Sequence, residues 1–123
     1  MSVRLIRHMS SRPEQRKLRK FLLDNKEQKC IICQKNHPPY LLECAHIKPR
    51  CMSNDVERLD FNIVNWMCRN CHKIYDKGDI SIDNGILIEN DFLKDYDFEG
   101  NFKENEYDRS EKYFIFHFKN IYK

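Results

Sequence analysis

The residues best suited to chemistry lie between Cys30 and Gly78. Two Cys-x-x-Cys pairs occur there, Cys30 with Cys33 and Cys68 with Cys71. Structural zinc takes four such ligands in a tetrahedron, with Zn–S distances of about 2.3 Å, and a two-residue gap lets one turn supply two thiolates. We therefore predict that these four cysteines bind one structural zinc ion, in preference to a redox or disulfide role.

Such a zinc site is closed, because protein sulfur occupies all four coordination positions. The metal should therefore stabilise a small fold and take no part in a reaction. Cys44 and Cys51 lie outside the pairs. We expect them to be reduced thiols, one or both of them buried.

A second candidate metal site begins with His72, directly after the second cysteine pair, and Asp76 follows four residues later. On a helix, positions i and i+4 share a face, so the imidazole and the carboxylate can bind one ion. One histidine and one aspartate with open positions suit Mg²⁺ or Mn²⁺ acting as a Lewis acid on a phosphodiester. On spacing alone, a hydrogen-bonded helix histidine and a solvated aspartate are the preferred explanation of the pair.

A further histidine, His46, ends a predicted apolar strand and precedes two cations around a proline, Lys48-Pro49-Arg50. Alone, a histidine in this position is more often structural. Together with the cysteine pairs, however, the chain resembles the HNH endonuclease family of the ββα-metal fold. The similarity extends from about Cys30 to Ile88 and rests on Ala45-His46-Ile47-Lys48-Pro49, on Asn62 and on the run Cys68-Arg69-Asn70-Cys71-His72-Lys73-Ile74-Tyr75-Asp76-Lys77-Gly78.

This resemblance implies a catalytic role for three residues. His46 matches the general base that activates water for attack on the scissile phosphate. Asn62 matches the asparagine that holds the loop and orients that base. His72 matches a ligand of the catalytic divalent ion, Mg²⁺ or Mn²⁺, which stabilises the transition state and the leaving 3′ oxygen.

The chain departs from the family pattern at two positions. Many relatives carry a metal-binding Asp or His where this chain has Ala45. We therefore expect Asp76 to be the second ligand, in preference to Glu43 or His46. The asparagine is one residue further from the cysteine pair than in many relatives, so Asn65 is an alternative to Asn62.

Charge is distributed unevenly, with a net charge of +8 over residues 1–50, zero over 51–77 and −5 over 78–123. A basic front half suggests a surface for a polyanion, although uneven solvated charge is an equally simple explanation. Four cations close to the candidate site are the predicted DNA contacts. They are Lys48, Arg50, Arg69 and Lys73.

These residues require elements that position them, and the sequence predicts a single α+β domain over residues 1–123. It comprises a leading helix (11–24, with Ser11 as a cap), a zinc and HNH core (30–78) and a hairpin with a C-terminal extension (79–123). Within the core we expect strands at 40–47 and 62–67 and a short helical turn at 54–59. A helix should follow at 68–77 and end at Gly78. We expect Trp66 and Tyr75 to lie in the hydrophobic interior. Beyond it we expect a hairpin at 80–88 with an Asn84-Gly85 turn, a loop over 89–109 and a helix from Ser110.

The sequence therefore favours a metal-dependent DNA endonuclease in which a homodimer would allow cutting of both strands. The alternatives are a non-catalytic zinc module that binds nucleic acid and a protein-interaction domain that uses its acidic aromatic region. No stretch has the roughly 18 apolar residues of a membrane span, and residues 1–15 lack the apolar region that is typical of a secretory signal. We expect an intracellular location.

Overall fold

Two antiparallel strands and the helix that follows them form the centre of the molecule. The computed structural model describes residues 13–93 and 104–123. In chain order its helices and strands are α1 (Glu14–Asn25), β1 (Leu42–His46), α2 (Asp55–Arg58), β2 (Val64–Cys68), α3 (Arg69–Asp76), β3 (Ile80–Asp83), β4 (Ile86–Glu89) and α4 (Glu104–Asn120). The β1–β2 register pairs Leu42 with Cys68 and His46 with Val64. The predicted α+β class is confirmed, including the ββα unit of β1, β2 and α3.

The core lies around β2, whose five residues are all buried. Trp66 and Tyr75 are 1% and 0% exposed, which confirms their predicted interior positions. The Tyr75 hydroxyl donates a hydrogen bond to the Ile47 carbonyl at 2.8 Å. This bond joins α3 to the end of β1, so the helix and the first strand are held at a fixed separation.

Helix α1 packs its apolar face against this sheet. Leu18 and Leu22 are buried, and the Arg19 guanidinium lies 5.0 Å from the centre of the Trp66 ring. The predicted leading helix is confirmed, and it extends to Asn25. The predicted cap, Ser11, lies outside the described residues.

Helix α3 has well-defined ends. Its N-cap is Cys68, whose sulfur accepts a hydrogen bond from the Cys71 amide. At the other end Gly78 has φ +79°, and the amides of Gly78 and Asp79 bond to the carbonyls of Tyr75 and Ile74, the pattern of a Schellman cap. A side chain at position 78 would also collide with the Ile121 carbonyl oxygen. The predicted glycine stop is confirmed.

The β3–β4 hairpin also matches its prediction. Asn84 and Gly85 have φ of 51° and 80°, as both central residues of a type I′ turn require. The hairpin places Ile80 and Ile82 in the core, where β3 packs against α4.

Helix α4 begins earlier than expected. The predicted loop over 89–109 is wrong for residues 104–109, which are helical. It is also wrong for Asp91–Leu93, which form a 3₁₀ turn. Residues 94–103 lie outside the described part of the chain. A kink at Ser110 (φ −118°, ψ 17°) separates this first turn of α4 from the helix that Ser110 was predicted to begin.

None of the described helices is long and apolar enough to cross a membrane.

A buried polar network anchors α4 to the core through His117, which is 1% exposed. His117 Nε2 lies 2.8 Å from the Tyr75 carbonyl, which can only accept, so Nε2 carries the hydrogen. The Ser81 hydroxyl, 2.7 Å from Nδ1, then donates to that nitrogen. Burial lowers the pKa of His117 to about 4, so the ring is neutral at pH 7.

This network predicts an acid-sensitive contribution to stability. Because the folded pKa of about 4 lies below the unfolded value of 6.5, the unfolded chain binds more protons between them. The contribution of the network to the free energy of unfolding is therefore complete above pH 6.5. It decreases by roughly 3 kcal/mol in all as the pH falls towards 4. The free energies of unfolding of the wild type and His117→Gln, both saturated with zinc, should converge over this range. Parallel pH profiles for the two proteins would show that His117 does not carry the effect.

Candidate functional site

The four paired cysteines come together, as predicted. All are buried, and their sulfur atoms lie within 4.8 Å of one another. In a zinc tetrahedron the sulfurs are separated by about 3.8 Å, given Zn–S bonds of about 2.3 Å. Among the residues that the structure describes, this is the one group of three or more histidine, cysteine or acidic side chains whose ligand atoms converge in this way. The cluster therefore fits a structural zinc ion.

Local backbone geometry presents the sulfurs to a common point. The Ile32 amide lies 3.4 Å from the Cys30 sulfur, and Gln34 turns the chain after Cys33 with φ +62°. In the second pair the Cys71 amide lies 3.5 Å from the Cys68 sulfur. The first pair thus lies on a tight turn and the second at the start of α3, where the N-terminus favours negative charge.

The cluster already favours thiolates at two positions. Hydrogen bonding from the neighbouring thiols, Cys30 first, lowers the pKa of Cys33 and of Cys68, whereas contacts within the cluster raise the pKa of Cys30 and of Cys71. His37, which the sequence did not single out, lies with Nε2 3.6 Å from the Cys33 sulfur. Ionised sulfur is the form that binds zinc, so the donor set suits the metal.

A separate cleft opens beside His72, on the outer side of α3. His72 Nδ1 is hydrogen-bonded to Glu43 Oε1 at 2.8 Å, and His72 Nε2 lies 3.1 Å from Asp76 Oδ2. Glu43 comes from the middle of β1, whereas Asp76 lies one helical turn after His72. The structure thus brings the predicted His72 and Asp76 together and adds Glu43, the less favoured candidate. The cleft is lined by Glu43, Arg69, Asn70, His72, Lys73 and Asp76.

The two carboxylates change the electrostatics of this imidazole. Burial lowers the pKa of His72, but interactions with Asp76 and Glu43 outweigh burial, so its pKa is raised. One imidazole with two carboxylates is a donor set that suits Mg²⁺ or Mn²⁺. The carboxylates face different ring nitrogens, so an ion would be shared by His72 and one of them.

His46 ends β1 and does not line this cleft. Successive strand residues point to opposite faces, so His46 and Glu43 leave β1 on different sides. His46 lies close enough to the buried Glu14 of α1 to affect its ionisation. Burial raises the pKa of Glu14, but a hydrogen bond from Arg50 and the charges of Arg50 and His46 lower it overall.

The two candidate asparagines contact α4. Asn62 accepts a hydrogen bond from Arg109 through its side chain at 2.8 Å and from the Ser110 hydroxyl through its carbonyl. Asn65 is 3% exposed and donates to Glu106. Next to Asn62, the Ile63 carbonyl accepts from the Ile47 amide at 2.7 Å, which fastens the loop directly after His46.

The four candidate DNA contacts fall into two classes. Lys48 donates to both Glu57 carboxylate oxygens at 2.9 Å and lies over the Phe116 ring, and Arg50 donates to Glu14 at 2.8 Å. These two cations have acidic partners, Glu57 and Glu14, that the sequence did not indicate because they lie nine and thirty-six positions away. Arg69 and Lys73 are exposed on the cleft wall.

The cysteine cluster leads to a direct prediction. Zinc-loaded protein should release close to one zinc ion per chain on denaturation, and Cys68→Ser should lose both the metal and cooperative unfolding, because zinc binding supplies folding free energy. Elemental analysis and circular dichroism measure the two effects. Cys51→Ser, which changes an exposed cysteine outside the cluster, is the matched control. Metal-free wild-type protein of unchanged stability would contradict the prediction.

Comparison with known proteins supports the resemblance drawn from the motifs. No curated protein shows significant similarity to the chain. Residues 30–83, however, match the family model of the HNH endonucleases. The matched segment contains the cysteine cluster, His46, both asparagines, the His72 cleft and β3. The segment that carries β1, β2 and α3 is thus similar to the HNH endonuclease family.

Proposed function

We propose that this protein is a metal-dependent endonuclease that hydrolyses DNA phosphodiester bonds. The observation that carries the proposal is the cleft in which His72 lies between two carboxylates and beside two exposed cations, within the segment that matches the HNH family. The match of residues 30–83 to the family supports nuclease chemistry in general. The choice of DNA and the roles of individual residues are part of the proposal.

In this proposal His72 and Asp76 hold a Mg²⁺ or Mn²⁺ ion at the cleft. When bound, the ion would supply Lewis-acid stabilisation of the charge that develops on the phosphate and on the leaving oxygen. Arg69 and Lys73, on the wall of the cleft, bind the phosphates on either side of the scissile bond.

His46 is proposed as the general base, which accepts a proton from the attacking water, because it matches the first histidine of the family; it ends β1 on the side opposite Glu43 and is not part of the lining of the His72 cleft. It is the last residue of β1, and the Ile47–Ile63 hydrogen bond fixes the loop that follows it. We assign Asn62 to the stability of that loop, because its hydrogen bonds fasten the loop to α4.

The non-catalytic nucleic-acid-binding alternative receives less support. It would bind nucleic acid through the basic front half of the chain, where Lys48 and Arg50 already pair with Glu57 and Glu14. Arg69 and Lys73, the exposed cations of the cleft wall, adjoin the candidate metal ligands His72 and Asp76. The single-domain organisation, the intracellular location and a homodimer all remain predictions.

Cleavage should depend on both histidines. With zinc-loaded protein, plasmid DNA and Mg²⁺ or Mn²⁺, we expect nicking or linearisation that His46→Ala and His72→Ala each reduce by about 100-fold or more, because general-base catalysis contributes 10²–10⁴-fold. Gel analysis of initial rates measures the effect. Lys119→Ala, an exposed change on α4, should cut at the wild-type rate. Cleavage by His46→Ala at the wild-type rate would refute the mechanism. So would the absence of cleavage by folded wild-type protein.

DNA affinity should distinguish the two classes of cation. Replacing Arg69 and Lys73 together with alanine should weaken binding to a DNA duplex. It should also reduce the slope of log K against log salt by roughly 2, because about 0.9 counterions are released per phosphate contact. Fluorescence anisotropy across a salt series measures this slope. The matched double variant of Lys119 and Lys123, both exposed on or after α4, should keep the wild-type slope. Equal slopes for all three proteins would remove Arg69 and Lys73 from the interface.

A further inference from the structure

The surroundings of His72 contain an asymmetry that assigns different roles to its two carboxylates. Glu43 comes from a strand and forms a hydrogen bond to Nδ1 at 2.8 Å. Asp76 comes from the same helix as His72 and makes an ion-pair contact with Nε2 at 3.1 Å. A neutral imidazole has one N–H and one lone pair, so only one nitrogen can bind a cation while the other donates a hydrogen bond.

We propose that Glu43 is a positioning residue that keeps the hydrogen of His72 on Nδ1 and leaves Nε2, beside Asp76, to bind the divalent cation. The inference rests on the proposed function, since it concerns the metal of that same site. Histidines that bind metal commonly donate their other ring N–H to a carboxylate, which fixes the tautomer and the ring orientation.

The distances are compatible with this division of roles. Two ligands at right angles on an octahedral ion, each about 2.1 Å from it, are about 3 Å apart. The 3.1 Å between Nε2 and Asp76 Oδ2 agrees with a shared ion. The 2.8 Å between Nδ1 and Glu43 Oε1 is the length of a charge-assisted hydrogen bond.

The fold holds the two ends of the hydrogen bond rigidly. Glu43 pairs with Met67 in the β1–β2 register, between the buried Leu42 and Cys44. His72 follows Cys71 directly, and the cysteine cluster fixes the start of α3. Because both elements belong to the core, the backbones at Glu43 and His72 have a defined separation, which the partly exposed Glu43 side chain spans with its hydrogen bond. Such rigidity is what orientation of a metal ligand requires.

The tautomer can be read directly in zinc-loaded protein with ¹⁵N-labelled histidine. Long-range ¹H–¹⁵N correlation at pH 8 should show the His72 proton on Nδ1, and Mg²⁺ addition should shift Nε2. Electron paramagnetic resonance then gives the Mn²⁺ affinity of each variant. Glu43→Ala should lose the tautomer preference and bind Mn²⁺ about 10–100-fold more weakly. Glu43→Gln, whose amide oxygen can still accept from Nδ1–H, should keep the tautomer and most of the affinity.

Two controls complete the comparison. Asp76→Asn, which changes the proposed ligand, should weaken Mn²⁺ binding while the Nδ1 proton remains. Glu27→Ala, an exposed carboxylate outside the cleft, should match the wild type in both measurements.

A proton on Nε2 in the wild type would overturn the proposal. So would a loss of Mn²⁺ affinity in Glu43→Gln as large as in Glu43→Ala, because it would make Glu43 itself a ligand. Neither measurement involves DNA. Protein that binds Mn²⁺ as expected but does not cut would therefore refute the proposed function and leave the role of Glu43 intact.

Discussion

The convergence of four cysteine sulfurs is the constraint on which the rest of the structure depends. The pairs are thirty-four residues apart in the chain, and their meeting brings the turn after α1 against the junction of β2 and α3. Cys68 has two tasks, since it is both a ligand of the cluster and the N-cap of α3. The start of the helix is therefore set by the cluster. Successive helix residues point about 100° apart, so Cys71 faces the cluster while His72 faces the cleft.

A second set of contacts attaches α4 to this centre. The helix meets β2 through Glu106 and Asn65, the loop before β2 through Ser110 and Asn62, and α3 through His117. Each is a polar contact with a residue more than 40 positions away. Helix α4 thus holds the loop between the strands, and the position of His46 depends indirectly on a segment outside the family match.

The sequence predicted those features that depend on local chemistry. Cysteine spacing, the Gly78 stop and the Asn84-Gly85 turn each follow from a few adjacent residues, and the structure confirms them. Partners distant in sequence could not be predicted, because nothing in the local pattern of Lys48 or Arg50 indicates Glu57 or Glu14. Glu43 is an intermediate case. Its spacing from Ala45 places both on one face of β1, but only the packing of α3 against that strand shows that the carboxylate reaches His72.

The adjacency of Cys71 and His72 has a thermodynamic consequence. If zinc at the cysteines fixes α3, and α3 in turn presents His72 and Asp76, then zinc must raise the affinity of the cleft for its own cation. Linkage is reciprocal, so a cation in the cleft must strengthen zinc retention by the same factor. The two ions are then heterotropic effectors of one another through a helix of eight residues. Zinc supply would set not only how much of this protein is folded but also how readily the folded protein takes up the cation that we propose for the cleft.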